Sequence, residues 1–303
     1  MIKKSLAVAT AVVGLLSLTN AAAPAQARTN YPVVISSGGT KVTFASAPKR
    51  IISLSPTATE SLFAIGAGAQ VIAVDDQSNY PKNAPHTSLS GYSPNLETIL
   101  AKHPDLVVIS YNPSNLLRSL HNADIPVIMQ DAVVDLSGSY AQIRQLGVIT
   151  NHSAKADSVV KTMQAQVHAA VQSIVATRSV SIYHELDNTM YSVTSATFIG
   201  SLYKKLGLTN IADKADGASY GYPQLSAEYI VSANPAIIFL ADSHCCGQSY
   251  ATLRSRSGFT HINAIKQHNV VALNEDIASR WGPRTPLLLT AIARGVNSMK
   301  GAK

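Results

Sequence analysis

Cysteine and charge are both scarce in this chain, and each scarcity excludes a class of protein. Two cysteines in 303 residues cannot build a disulfide framework, which needs several spaced pairs. Charged residues make up 14% of the chain and the basic ones are scattered, so there is no nucleic-acid footprint. The usual enzyme signatures are missing too: no G-x-S-x-G elbow, no G-x-x-x-x-G-K-[ST] phosphate cradle and no H-E-x-x-H pair. Gly66-Ala67-Gly68 closes a predicted helix instead of following a strand, so it is not a dinucleotide fingerprint.

What is present begins with an export signal. Lys3 and Lys4 precede an apolar run from Leu6 to Leu18, and Ala25-Gln26-Ala27 supplies a small-x-small cleavage site. A helix over that run rises only ~20 Å, short of the ~30 Å of a bilayer core. Residues 1–27 are therefore expected to be a signal peptide cleaved near Ala27, and no cysteine near that site could take a lipid. The expected location is the periplasm, with full secretion as the alternative. About 275 residues of the 303 remain after cleavage, more than one core usually organises.

Cys245 and Cys246 are adjacent, in Asp242-Ser243-His244-Cys245-Cys246-Gly247. In an oxidising compartment they are expected to form a vicinal disulfide or to be buried as thiols. Adjacent thiolates beside His244 match no recognised zinc spacing.

From Arg50 onward, short apolar runs alternate with helical periods. The runs are Ile51–Leu54, Val71–Val74, Leu106–Ser110, Pro126–Met129, Ser179–Tyr183, Ala236–Ala241 and Val270–Leu273, the pattern of parallel α/β sheets. Ser153 to Arg178 lacks Gly and Pro and repeats apolar residues at three- and four-residue steps, which predicts one long amphipathic helix of ~23 residues. The expected division is a lead-in over 28–48, an N-terminal α/β lobe over 49–152, the connecting helix over 153–178 and a C-terminal α/β lobe over 179–303.

The halves echo each other. Gly91-Tyr92-Ser93-Pro94-Asn95-Leu96-Glu97 and Gly221-Tyr222-Pro223-Gln224-Leu225-Ser226-Ala227-Glu228 each place a Glu seven residues before a Pro, with Ile two residues after the Glu. Glu97 and Glu228 fall in first helical turns, where the helix dipole favours a carboxylate. Their matched placement also offers a two-fold partner two points to grip with arginines.

Ligand sites in open α/β sheets lie beyond the carboxyl ends of strands. Ser55, Tyr80 and Tyr111 occupy such places, and Tyr92 and Tyr222 lie in loops. Tyrosines outnumber phenylalanines twelve to five, and a flat face with a polar tip suits a large ligand of mixed polarity. Asp276, Arg280 and Trp281 precede the last helix and complete the candidate set.

Pro48-Lys49-Arg50-Ile51-Ile52-Ser53-Leu54-Ser55-Pro56, Thr59-Glu60, Asn79-Tyr80-Pro81, Asn95-Leu96-Glu97, Pro223-Gln224-Leu225-Ser226-Ala227-Glu228 and Gly282-Pro283-Arg284 together resemble the periplasmic cobalamin and ferric-siderophore binding proteins of ABC importers. The resemblance covers about residues 48 to 295. It implies two Rossmann-like lobes joined by one long α-helix, and a monomer that holds a metal chelate in a shallow cleft. It also implies that Glu97 and Glu228 dock on arginines of a permease dimer. No catalysis, no cofactor and no bound metal ion of the protein's own are expected. Where cobalamin-binding members carry tryptophan, some of these positions are tyrosine, so cobalamin and a ferric siderophore both stay open as ligands. Two other classes are carried alongside: an exported α/β enzyme using His184, Glu185 or His244, and a binder of bare metal ions.

Overall fold

Four-residue apolar strands can be buried on both faces only if helices cover both sides of a parallel sheet, and each half of the chain does this once. The computed structural model describes residues 29–175, 179–215, 217 and 219–300. The expected signal peptide and residues 176–178 lie outside the described residues. The lead-in forms an antiparallel hairpin, β1 (Val33–Ser37) with β2 (Thr40–Phe44).

In the first half, β3 (Ile51–Leu54), β4 (Val71–Asp75), β5 (His86–Leu89), β6 (Leu106–Ile109) and β7 (Val127–Met129) pair in the order β5-β4-β3-β6-β7, all parallel. Alternate residues point to opposite faces. Ile51, Leu106 and Val108 join a core with α1 (Pro56–Ala64), while Ile52, Val107 and Ile109 pack towards α2 (Leu96–Leu100) and α3 (Leu116–Asn122). In the second half, β8 (Ser181–Glu185), β9 (Thr209–Asn210), β10 (Ile237–Leu240) and β11 (Val270–Ala272) pair in parallel, in the order β11-β10-β8-β9.

Three sequence expectations change here. First, β8 runs over 181–185 rather than 179–183: inside the core Glu185 is held by Arg256 and His184 bonds the Tyr203 hydroxyl through Nδ1, so the strand continues through both. Secondly, the expected long helix is present as α5 (Ser153–Gln172), and a helix that was not expected, α4 (Leu136–Ile149), precedes it and packs against it. Gly147 makes this pairing possible, since a Cβ there would sit 2.4 Å from the Cβ of Ala156. Thirdly, α5 ends at Gln172 with no Gly or Pro to stop it. The amide of Asn297 closes the end, donating to the Ser173 carbonyl at 2.7 Å and accepting from the Val175 N–H at 3.1 Å.

The buried stripe of α5 belongs to both cores. Ala156, Val160 and Met163 pack in the first, and Val167 and Ala170 in the second. The second half adds α6 (Phe198–Lys205), α7 (Ala227–Ala233), α8 (Ser243–Cys246), α9 (Tyr250–Arg254), α10 (Asn263–Lys266), α11 (Glu275–Ala278) and α12 (Thr285–Asn297). Among the described residues no helix is long and apolar enough to cross a membrane.

Candidate functional site

The carboxyl ends of the two sheets are joined by the loop and short helix after β11. Arg280 is the centre of that joint. It donates to Glu60 of α1 at 2.8 Å, to the Asn79 side-chain carbonyl at 3.0 Å, to the Gln77 carbonyl at 3.0 Å and to Asp276 at 2.9 Å. Arg284 closes on the same Glu60 through two further bonds, at 2.8 and 2.5 Å, and its guanidinium lies 4.2 Å from the ring centroid of Tyr80, a cation–π distance. Asp276 takes an additional bond from Asn79 at 2.8 Å. Ser55 is the N-cap of α1, accepting from the Ala58 N–H, which frees Glu60 to receive both arginines.

Two of the expected ligand contacts are thereby engaged inside the protein. Ser55 is 2% exposed and caps its helix, and Arg280 is 7% exposed and neutralised by two carboxylates. Trp281 is half-buried against the second core, its indole N–H bonded to Gln142 of α4 at 2.8 Å. The exposed members are the tyrosines. Tyr92 is 72% exposed and Tyr80, Tyr111 and Tyr222 between 38% and 45%. Tyr92 and Tyr111 pack ring to ring with centroids 5.7 Å apart, within the range of a favourable aromatic pair. A glycine precedes Tyr92 and another precedes Tyr222. Gly221 has a φ of +91°, where a Cβ would be strained and would meet the Thr197 methyl at 2.6 Å.

Glu97 and Glu228 are both exposed and each is the second residue of its helix, behind the N-caps Asn95 and Ser226. Its own backbone N–H and the Ser226 hydroxyl hold the Glu228 carboxyl below its ordinary pKa.

The groups weighed for enzymatic or metal roles are placed otherwise. His184 is fully buried, bonded to the Tyr203 hydroxyl at 2.7 Å, and burial lowers its pKa to about 3. Glu185 is fully buried, held by Arg256 at 2.6 and 2.8 Å and by the Tyr183 hydroxyl at 2.9 Å. Among the described residues no group of three or more His, Cys, Asp or Glu could hold a metal ion. Cys245 and Cys246 are bonded to each other on the exposed α8, whose N-terminal N–H groups at His244 and Cys245 donate to the Glu275 carboxylate. Asp75 ends β4 and Asp242 follows β10, both in segments that the strand pattern already sets at carboxyl ends. Both are buried. Burial pushes Asp75 up to about 6, and burial with the neighbouring Glu185 pushes Asp242 up to about 7.

Two parallel-sheet lobes, bridged by helices and presenting aromatic rings where their strand ends meet, define a two-lobe binding protein. A model of the family described as periplasmic binding protein matches residues 51–277, and the chain belongs to that family of substrate-binding transport proteins. It is 31% identical over 268 residues to the vitamin B12-binding protein of Pectobacterium carotovorum, covering 84% of this chain and 92% of that one. It is 29% identical over 265 residues to the ABC transporter substrate-binding lipoprotein YvrC of Bacillus subtilis, covering 84% and 82%. The fold is shared with a possible iron-binding periplasmic solute-binding protein of Staphylococcus epidermidis, with TM-score 0.74, 23% identity and coverage of 83% and 99%.

Proposed function

We propose that this chain is the extracytoplasmic binding protein of an ABC importer. It holds a metal chelate, a corrinoid first and a ferric siderophore second, between its lobes and hands it on unchanged. The observation that carries this reading is the exposure of Tyr80, Tyr92, Tyr111 and Tyr222 on loops of both lobes. Large rings left in water mark a surface meant to be covered, and tyrosine covers a ligand that is part apolar and part polar. The name of the Pectobacterium relative supports a corrinoid, and that of the Staphylococcus structure supports iron.

Glu97 and Glu228 are the docking points for the permease dimer, one per lobe, each presented outward by a capped helix. Residues 1–27 direct export, and the released protein works as a free monomer in the periplasm. Isothermal titration with cyanocobalamin and with a ferric hydroxamate tests the ligand. Saturable one-to-one binding of the corrinoid is expected, binding of the hydroxamate alone makes this an iron-uptake protein, and silence from both overturns the reading.

A further inference from the structure

Asp75 stands at the carboxyl end of β4 and is 2% exposed, and its Oδ1 has no hydrogen-bond partner. It lines a cavity of about 110 Å³ together with Gly91, Ser110 and the Tyr92–Tyr111 pair. A Cβ on Gly91 would sit 2.8 Å from Asp75 Oδ2 and 3.0 Å from the Leu54 carbonyl, so only glycine leaves this wall open. The Ser78 hydroxyl supports the carboxyl, but Oδ1 is left without a donor, and a buried acceptor in that state is costly and calls for a partner. The cavity exceeds what one water needs and is too small for a ring system, so it suits a single projecting group.

The charged and titratable groups around Asp75 are Asp76 on its own segment, Arg280 from the loop after β11, and the phenols of Tyr92 and Tyr111. The one cation among these, Arg280, already bonds Glu60 and Asp276. Asp75 remains ionised at neutral pH because its pKa of about 6 lies below it. A visiting carboxylate would meet a like charge in a poorly screened site, whereas an N–H group would complete a charge-assisted bond.

We propose that Asp75 is a specificity-determining acceptor of the cleft, receiving an N–H from a primary carboxamide on the rim of the chelate and rejecting ligands rimmed with carboxylates. This rests on the chelate-binding reading and narrows it: corrinoids carry primary carboxamides around the ring, whereas haem carries two carboxylates.

Two arms test it, both on protein produced from the full chain. In the first, ¹⁵N-labelled protein at pH 7.5 is titrated with acetamidinium and with acetate. Acetamidinium is expected to shift the backbone resonances of Gly91, Tyr92 and Ser110, acetate to leave them unmoved, and Asp75→Asn to abolish the response. Silence with acetamidinium, or equal shifts with acetate, overturns the subsite. In the second, cyanocobalamin is compared with the corrinoid whose side-chain amides have been hydrolysed to carboxylates. The wild type is expected to prefer the amide form at least tenfold and Asp75→Asn to shrink that ratio, and an unchanged ratio in the variant overturns the proposal. If neither corrinoid binds while acetamidinium still does, the subsite stands and the corrinoid reading falls.

Discussion

Glu60 and Arg280 lie 220 residues apart in sequence and meet at 2.8 Å with both side chains buried. Arg284 binds the same carboxylate, so a single acid on the first lobe secures two cations of the second.

Removing that acid leaves the half-buried Arg284 without its carboxylate partner and the buried Arg280 with Asp276 alone. Glu60→Gln is expected to destabilise the protein by about 3 kcal/mol or more, the usual consequence of breaking a buried ion pair by one partner. Urea denaturation measures it. A loss below about 1 kcal/mol would mean that water reaches the joint and relieves the charges.

Asp75 and His184 bend the stability curve in opposite directions. The Asp75 pKa is raised from 3.8 to about 6, so the native state holds its proton more tightly than the unfolded chain. The neutral form favours folding, and stability is lost as pH rises from about 4 to about 6. Asp75→Asn is expected to raise the melting temperature at pH 8, by the equivalent of at most about 3 kcal/mol, and to change little at pH 3.5. Equal shifts at both pH values would refute the assignment.

For His184 the native pKa is lowered from 6.5 to about 3. Its contribution is complete above about 6.5 and is lost as pH falls towards 3, because the unfolded chain takes up the proton first. His184→Gln removes that titration. Its stability, whatever its absolute value, is expected to fall less steeply below pH 6 than that of the wild type, by up to ~1.4 kcal/mol per pH unit. Parallel slopes would count against a neutral buried imidazole.

Reversing the exposed Glu97 and Glu228 to Lys should abolish uptake through the importer and leave the ligand Kd unchanged. Thermal stability should move by less than about 0.5 kcal/mol per site, as for most surface changes. Weakened ligand binding in these variants would show that the two helices serve the cleft and not the permease.

The central strands β3, β6 and β10 were legible because each is a short apolar run buried on both faces, whereas β5 and β9, short and partly polar, carried no such mark. Ser55 as N-cap and Pro56 at the first helical position mark the start of α1. By contrast α4 escaped notice: Gly138 and Gly147 lower its helical propensity, and the close contact of Gly147 with Ala156 is a property of two helices together. The tyrosines stood out by number and by position after strands, and the structure leaves them exposed. Arg280 carried no mark separating a ligand contact from an internal tie, because its partners Glu60 and Asn79 are remote in sequence. Asp75 and Asp76 are indistinguishable as letters, and only the end of β4 decides which one is buried.

A helix whose buried stripe serves two cores makes the lobes behave as the arms of a stiff spring rather than as doors on a hinge. Parting them means sliding Val160 and Met163 or Val167 and Ala170 out of their packing and straining the Glu60 joint at once. The free protein then gains little by gaping. Any partner that parts the lobes must supply that work itself.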